Sequence, residues 1–345
     1  MTNLLLTILI AFIGGYILQK LRVPGGMMLG SVIMVAIFNV NTQIIAMPME
    51  FRIIAQTIAG AYIGMTVKKE NLPRMKHLIR PTITLLVGLI VTNFLVGILI
   101  YLVSPLDILT SFLAGIPGGV SDTPLIAADL GADAAKVTVL QFVRLISGIS
   151  MVPLLVKYDS KETGGTGEKP KLVIKKPSSI KNRKLWVSLI LAFIAGTAGR
   201  MMGVPAGTLI FAMLCIVILK MASYEVTFPI WFKRMAQLFS GAYIGSRFGY
   251  QDFVELKYLA IPALILVVLN MFSCFLMGNI LAKKYKLPLS QAILSSSPAG
   301  ASDMALIASD LGVSGSDVAM IQILRLIGAI SIFPQVFYMI TKVFF

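Results

Sequence analysis

At residues 117–131 the chain reads PGGVSDTPLIAADLG, and at 298–312 it reads PAGASDMALIASDLG, with 10 of the 15 positions identical. The shift that moves position 117 onto position 298, which we call the repeat offset, also places GAYIG at 60–64 on GAYIG at 241–245 without a gap. The repeat offset spans about half of the chain and is far longer than the roughly 20–50 residues of a solenoid repeat, so the chain is a duplicated half-protein. In an apolar chain, such a duplication is typical of transporters built from two related halves.

The composition indicates a polytopic membrane protein. Hydrophobic residues make up 57% and charged residues 13%, whereas soluble domains have roughly 25% charged residues. The apolar runs at 79–103 and 259–280 are long enough to cross a hydrocarbon core of about 30 Å. The net charge of +15 is explained by cytoplasmic loops that collect Lys and Arg, so we expect no nucleic-acid partner. The first segment, 3–19, is predicted to be a structural span rather than a cleaved signal peptide.

The chain divides into two halves around one long polar stretch. We predict repeat one at 1–156, a basic cytoplasmic linker at 157–184 and repeat two at 185–345. The linker has nine Lys or Arg, three acidic residues and the Gly-rich patch TGGTGEKP, which is typical of a flexible connection. Each half contains six apolar stretches, of which the fifth holds the duplicated motif.

The charge distribution distinguishes two topologies. With the linker inside and six crossings per half, 17 Lys and Arg lie inside and 11 outside. If the fifth stretch enters and leaves on one side, the split becomes 22 to 6, with Arg144 and Arg325 left within the membrane. The positive-inside rule favours the second arrangement. We therefore predict an all-α protein of the cell (plasma or inner) membrane, with two inverted repeats of five transmembrane helices and one re-entrant helical hairpin each, ten spans in all, and both termini outside.

The fifth stretch has the sequence of a broken helix. Residues 106–116 can form a short helix, Pro117-Gly118-Gly119 interrupts it, and 121–130 can form a second short helix that Gly131 ends. Pro298-Ala299-Gly300 repeats the break in the second half. Non-helical backbone at membrane depth is tolerated only where it is buried in protein or lines a cavity. Two breaks that face each other near the midplane predict a binding site.

Asp122 and Asp303 directly follow the two breaks. Carboxylates near the middle of a bilayer usually mark ion or substrate paths, so they are predicted to bind a coupling cation or to take up a proton. The alternative is helix capping, for which Ser, Asp or Thr before Pro124 is a common signature.

Arg144 and Arg325 lie about ten residues into the sixth stretch, roughly 15 Å deep, and Gln141 and Gln322 precede them by three residues. A buried arginine needs a partner. Either each forms a structural salt bridge with a hairpin aspartate, or a guanidinium grips a carboxylate substrate. The sequence leaves both alternatives open.

The predicted substrate- or ion-binding residues are Pro117, Gly118, Gly119, Ser121, Asp122, Gln141, Arg144, Pro298, Gly300, Ser302, Asp303, Gln322 and Arg325. A second group of residues could also bind substrate or ion, with a role at the aqueous interface or in helix packing as the alternative. These residues are Asp129, Asp310, Gln56, Gln237, Tyr62 and Tyr243. The glycines of the two GAYIG motifs have small-xxx-small spacing, which predicts close helix approach. The only histidine, His77, lies in a basic loop, and no cluster has metal-ligand spacing. We expect no enzyme activity, no metal and no cofactor; the coupling ion is H⁺ or Na⁺.

The paired hairpins, the turns VPGG at 23–26 and VPAG at 204–207, and the twin QxxR helices resemble the membrane AbrB family over essentially the whole chain. Members are labelled ammonia monooxygenase or regulator of gene expression. One histidine cannot build a copper or iron site, and the chain has no DNA-reading domain. The resemblance supplies no substrate, and the architecture is similar to elevator-type inverted-repeat transporters by fold-level analogy.

These features predict a secondary transporter of a small organic solute, with a preference for a carboxylate, driven by H⁺ or Na⁺. The alternative is a membrane-embedded sensor or regulator that affects gene expression and binds its ligand without net transport. The expected partners are the solute and the lipid bilayer, and the sequence leaves a homodimer open.

Overall fold

The computed structural model describes all residues except 1, 44, 46, 68, 160–181, 225, 226, 312 and 345, so most of the predicted linker lies outside the described residues. The described part is helical and contains no strand. Its α-helices are α1 (Thr2–Lys20), α2 (Gly26–Thr42), α3 (Met49–Thr66), α4 (Leu72–Val103), α5 (Ile108–Gly115), α6 (Thr123–Leu130), α7 (Ala134–Asp159), α8 (Asn182–Met201), α9 (Gly207–Met221), α10 (Ile230–Gly245), α11 (Tyr250–Glu255), α12 (Ala260–Tyr285), α13 (Leu289–Ser296), α14 (Ala301–Asp310) and α15 (Gly315–Phe344).

Six segments of the described chain are helical, long and apolar enough to cross a membrane. They are Asn3–Lys20, Pro73–Val103, Ala134–Val152, Arg183–Met201, Tyr250–Tyr285 and Gly315–Val343. The helices α2 and α9 are also apolar but shorter. The predicted all-α membrane protein is confirmed at this level, while the number of crossings stays a prediction.

The order of helices follows the repeat in the sequence. The helix α13 begins one repeat offset after α5, and α15 begins one repeat offset after α7. The fifth stretch forms two short helices, α5 and α6, within two residues of the predicted boundaries. Gly131 ends α6 in the left-handed region, at φ 79°, as predicted.

The outer ends of α5 and α6 lie side by side. The hydroxyl oxygen of Thr110, in the first turn of α5, accepts a hydrogen bond from the backbone N–H of Asp133 at 2.9 Å, just beyond α6. The chain therefore turns back on itself between the two helices. We call the non-helical residues 116–122 between α5 and α6 the first break, and residues 297–300 between α13 and α14 the second break.

The helices pack into two bundles that cut across the two halves of the sequence. Bundle one contains α1–α3 and α8–α10, and bundle two contains α4–α7 and α12–α15. Between the bundles, α10 packs on α6 and α7, and Ile126 and Ile330 enter the hydrophobic core of bundle one. Both breaks belong to bundle two, so they face bundle one across this boundary.

Ion pairs between the halves are reciprocal. Arg74 of α4 bonds Asp317 of α15 at 2.5 Å, and Lys136 of α7 bonds Glu255 of α11 at 2.7 Å. The repeat offset places Arg74 on Glu255 and Lys136 on Asp317. The same contact is therefore made twice, with the signs of the charges exchanged.

The equivalent helices α4 and α12 run antiparallel. The hydroxyls of Thr92 and Ser273 lie 2.9 Å apart, and these two residues are each other's equivalents under the repeat offset. Further along the pair, the hydroxyls of Thr84 and Tyr285 lie 2.6 Å apart, so positions rise in one helix as they fall in the other. These two contacts join equivalent helices of the two halves.

The GAYIG motifs bring helix backbones into contact within bundle one. A Cβ at Gly60 of α3 would lie 2.3 Å from the carbonyl oxygen of Leu209 in α9. A Cβ at Gly241 of α10 would lie 2.6 Å from the carbonyl oxygen of Met28 in α2, the equivalent contact. The predicted close approach of helices at these motifs is confirmed.

Gly60→Ala tests this packing. The added methyl group would overlap a backbone oxygen that cannot rotate away, so α3 and α9 must separate. We expect a loss of about 1–3 kcal/mol in the free energy of unfolding, the range for an overpacked core. The measurement is the melting temperature of the purified protein in detergent. Gly249→Ala is the matched control, because its Cβ would meet only the Asp252 carboxylate, at 3.5 Å. Equal melting of both variants would show that α3 and α9 are not tightly packed.

Candidate functional site

The end of α5 is capped by two side chains of α7. Gln141 donates from Nε2 to three carbonyl oxygens, those of Leu113 (3.3 Å), Ala114 (3.0 Å) and Ile116 (3.1 Å). Arg144 donates from Nη1 to the carbonyl of Ile116 and from Nη2 to that of Gly118 at 2.9 Å. The last carbonyls of a helix have no partner within it. The QxxR spacing places both side chains one turn apart on the same face of α7, where they supply the missing donors.

The second half repeats this arrangement on α13. Gln322 of α15 donates from Nε2 to the carbonyls of Leu294 at 2.8 Å and Ser297 at 3.2 Å. Arg325 donates to the carbonyls of Ser297 and, at 3.4 Å, Ala299. Both glutamine–arginine pairs therefore hold the first residues of a break in place.

The arginines are almost fully buried, with 2% of Arg144 and 4% of Arg325 exposed. Neither forms an ion pair with a carboxylate among the described side chains. Helix C-termini carry a partial negative charge. Backbone carbonyls therefore serve as the partners of the arginines, in place of the hairpin aspartates that one of the two alternatives proposed. In each arginine the Nε–H is buried and has no partner in the described structure. The terminal nitrogens already donate to the backbone, which limits what they could offer a substrate.

Asp122 occupies the N-cap position of α6, but its carboxylate accepts no capping hydrogen bond from the first turn. Only 8% of the residue is exposed. Asp303 lies in the first turn of α14 and is partly exposed. The capping alternative is therefore wrong for Asp122. Its carboxylate lies next to Gly119 in the first break.

A glycine precedes each aspartate by three residues and makes room for its carboxylate. A Cβ at Gly119 would lie 2.0 Å from Oδ2 of Asp122, and a Cβ at Gly300 would lie 2.8 Å from Oδ2 of Asp303. The carbonyl oxygen of Gly118 accepts a hydrogen bond from Arg144. The breaks thus need glycine for the position of the carboxylate as well as for backbone freedom.

Lys233 of α10 completes the site, and sequence reasoning missed it. Its side chain is exposed, and Nζ lies 5.7 Å from the centroid of the Tyr62 ring. The ammonium group is also within electrostatic reach of both Asp122 and Asp303. Lys233 belongs to α10 of bundle one, and α10 packs on α6, the helix that follows the first break. The signal in the sequence was the repeat offset, which places Lys233 on Arg52.

Gln237 lies one turn after Lys233 on the same face of α10. Its Nε2 donates to the hydroxyl of Ser121 in the first break at 3.3 Å. The structure thus places Gln237 against Ser121 at the first break, and Asp122 and Asp303 beside the glycines of their own breaks, while Tyr62 lies beside Lys233. Ser302 and Asp310 have side chains outside the described set, and Pro298 packs near Gly148 of α7.

Asp129 lies apart from this group, at the end of α6, and is held by bundle one. Arg52 pairs with its carboxylate at 2.9 Å and also donates to the carbonyl of Ala128 at 2.8 Å. Gln56 donates to the other carboxylate oxygen at 3.0 Å. The Tyr243 ring lies 5.4 Å from the Arg52 guanidinium carbon. These contacts make a polar connection between the two bundles. In the part of the chain that is described, no three His, Cys, Asp or Glu side chains could hold a metal ion together.

Comparisons with known proteins agree on one family. The family model described as "Transition state regulatory protein AbrB" matches residues 1–160 and 42–341. The "Uncharacterized protein YhjN" of Bacillus subtilis (strain 168) is 24% identical over 354 residues, which cover 95% of this chain and 90% of that protein. The "Putative regulator AbrB" of Escherichia coli (strain K12) is 25% identical over 314 residues, covering 90% and 88%.

Arg144→Lys tests the capping role. Lysine keeps the charge but loses the planar fork, so one of the two carbonyls at the first break loses its donor. An unpaired buried polar group costs about 1–3 kcal/mol, and we expect a corresponding fall in the free energy of unfolding. The measurement is the melting temperature beside that of Arg183→Lys, an exposed arginine of α8. A variant that melts like the wild type but binds solute more weakly would favour the substrate-gripping role.

Proposed function

The chain belongs to the AbrB family, and we propose that it is a secondary transporter that moves a small organic solute together with H⁺ or Na⁺. One observation carries this proposal: in each half an aspartate follows a helix break, and the first break contacts the other bundle through the hydrogen bond from Gln237 to Ser121. Broken helices that place charged groups between two packed units are the usual site architecture of secondary transporters.

The proposed topology has ten crossings, with α5–α6 and α13–α14 as re-entrant hairpins that enter from opposite faces. The antiparallel course of α4 and α12 supports an inverted relation, because repeats in parallel orientation would place equivalent helices side by side in the same direction. The contact between Thr110 and Asp133 supports re-entry, since it joins the outer ends of α5 and α6. The linker is then cytoplasmic and both termini lie outside.

The charges at the breaks favour ion coupling. Asp122 and Asp303 are carboxylates that form no ion pair with any described side chain. A carboxylate without an ion-pair partner in a low dielectric is stabilised by a bound cation or takes up a proton. The helices α6 and α14 begin at the breaks, and their N-termini carry a partial positive charge that suits a carboxylate. A carboxylate solute would thus bind with its driving ion, each offsetting the charge of the other.

The packing favours an elevator mechanism. Both breaks belong to bundle two, and the site lies where this bundle faces α10 of bundle one. Movement of bundle two along bundle one would carry the site across the membrane. The hydrogen bond between Gln237 and Ser121 and the ion pair between Arg52 and Asp129 cross this boundary, so they must exchange during the movement.

The second candidate function is regulation. It is favoured by the words "Putative regulator AbrB" in the name of the Escherichia coli relative. A protein in this class would bind a solute at the breaks and signal without moving it. Proteoliposomes distinguish the two classes, because only a transporter accumulates solute against its gradient under an imposed pH or Na⁺ gradient. Binding of the solute without accumulation would leave the regulator as the better description.

Neutralising the aspartates tests the coupling. We expect Asp122→Asn and Asp303→Asn to reduce ion-driven uptake at least tenfold, since an amide neither releases a proton nor carries charge. The probe is a panel of radiolabelled acetate, lactate, succinate and citrate in proteoliposomes, with and without Na⁺. Glu50→Gln, an exposed acidic residue of α3, is the control. Because Asp122 is buried and Asp303 is partly exposed, the two losses should differ in size. Full ion dependence in both variants would contradict the proposal.

Lys233→Met tests the solute preference. Methionine keeps much of the length of the stem but removes the charge that would face a carboxylate. We expect the KM for the transported carboxylate to rise at least tenfold, which corresponds to about 1.4 kcal/mol of binding. The melting temperature should change little, because Lys233 is exposed. Arg234→Met, the neighbouring exposed cation, is the control, and an unchanged KM in Lys233→Met would remove the basis for preferring a carboxylate.

A further inference from the structure

A polar cavity lies at the boundary of the two bundles, and its lining includes no residue of either break. Its volume is about 270 Å³. Bundle one contributes Arg52 of α3, Arg200 at the end of α8 and the loop that leads into α9, and bundle two contributes Asp129 and Tyr338. The proposed transport cycle places neither solute nor coupling ion in this cavity.

Positive charge in the cavity is only partly balanced. Asp129 is paired with Arg52, at 2.9 Å. Arg200 forms no ion pair with a described residue, and its one described hydrogen bond runs from Nη2 to the sulfur of Met49 at 3.4 Å. A thioether is a weak acceptor. The cavity therefore has two guanidinium groups and one carboxylate, with one cation left over.

Two arginine donors at the cavity lack acceptors in the described structure. The Nη1 group of Arg200 is buried without a partner, and so is Nε of Arg52, a residue that is only 5% exposed. Buried N–H groups are normally paired. A negatively charged acceptor would accept hydrogen bonds from these donors and would also neutralise the excess positive charge.

The start of α9 adds to this preference. Ala206 and Gly207 line the cavity, and Ala206 at the N-cap has φ 56° and no side chain that could cap the helix. A helix of 15 residues has a partial positive charge at this end. Helix N-termini beside arginine are common binding sites for oxyanions.

We propose that this cavity binds a small oxyanion, a carboxylate or a phosphate group, between Arg200 and the N-terminus of α9. The volume equals that of about nine waters at roughly 30 Å³ each, which suits a ligand of a few heavy atoms. Arg200 and the start of α9 both belong to bundle one, and Tyr338 of bundle two lines the same cavity. The site is separate from Asp122, Asp303 and Lys233, and it does not depend on the transport proposal.

The test is anion-dependent melting of the full chain in a phospholipid-free detergent at constant ionic strength. We expect inorganic phosphate or acetate to raise the melting temperature saturably, because a ligand that binds only the folded state stabilises it. Potassium chloride provides the ionic-strength control. In Arg200→Gln the half-saturating concentration should rise at least tenfold, and Arg200→Lys should fall in between, since it keeps the charge and loses the fork. Arg183→Gln, at the other end of α8, should behave like the wild type.

The source of the oxyanion is resolved by a further arm with added phosphatidic acid. A response to phosphate or acetate that Arg200→Gln loses supports a soluble ligand. A response to phosphatidic acid alone, also lost in Arg200→Gln, supports the same site occupied by a lipid headgroup. No saturable response in any arm, or an equal response in Arg200→Gln and the wild type, overturns the proposal. If Arg200→Gln does not fold, the comparison of Arg200→Lys with Arg183→Gln decides in the same way.

Discussion

The breaks in two helices impose the constraint on which the rest of this structure depends. Each break leaves backbone carbonyls without donors, and in a membrane protein no bulk water reaches the core to supply them. Gln141 with Arg144, and Gln322 with Arg325, supply those donors from the neighbouring long helices. The carbonyls in turn provide the negative partners that a buried guanidinium needs. In each half, one set of hydrogen bonds therefore satisfies both the unpaired carbonyls and the buried guanidinium group. The aspartates that follow the breaks take no part in these hydrogen bonds.

The reciprocal contacts show how the duplicated halves fit together. Arg74 with Asp317 and Glu255 with Lys136 occupy equivalent positions, but the basic and acidic partners are exchanged. An ion pair keeps its function when its charges are reversed together, so such an exchange preserves the contact while the sequences diverge. Thr92 and Ser273, which are in contact with each other, both have hydroxyl groups. The contacts between the halves are thus the same at equivalent positions, although the residues that make them differ.

The sequence predicted the helical class, the short helices on both sides of each break, and the close packing at the GAYIG motifs, because these depend on local composition and on the internal repeat. It did not predict the partners of Arg144 and Arg325. These partners are backbone carbonyls, which every residue has, so the residue types do not show which carbonyls are unpaired. It also missed Lys233, an exposed lysine near the start of α10 that reads as an ordinary loop-proximal charge. Its proximity to Asp122 and Asp303 arises from the packing of α10 against bundle two, which no local pattern encodes.

Arg52 and Lys233 occupy equivalent positions, and their chemistry separates two roles that the duplication first made identical. The arginine uses its fork to hold Asp129 and the carbonyl of Ala128 together, which fixes the end of α6 to bundle one. A lysine is a single point charge on a flexible stem, so it can face two carboxylates without a fixed geometry for either. Replacing Lys233 by arginine would favour a two-point contact with one aspartate over the other. The halves are therefore equivalent in position at residues 52 and 233, but the contacts of these two side chains differ.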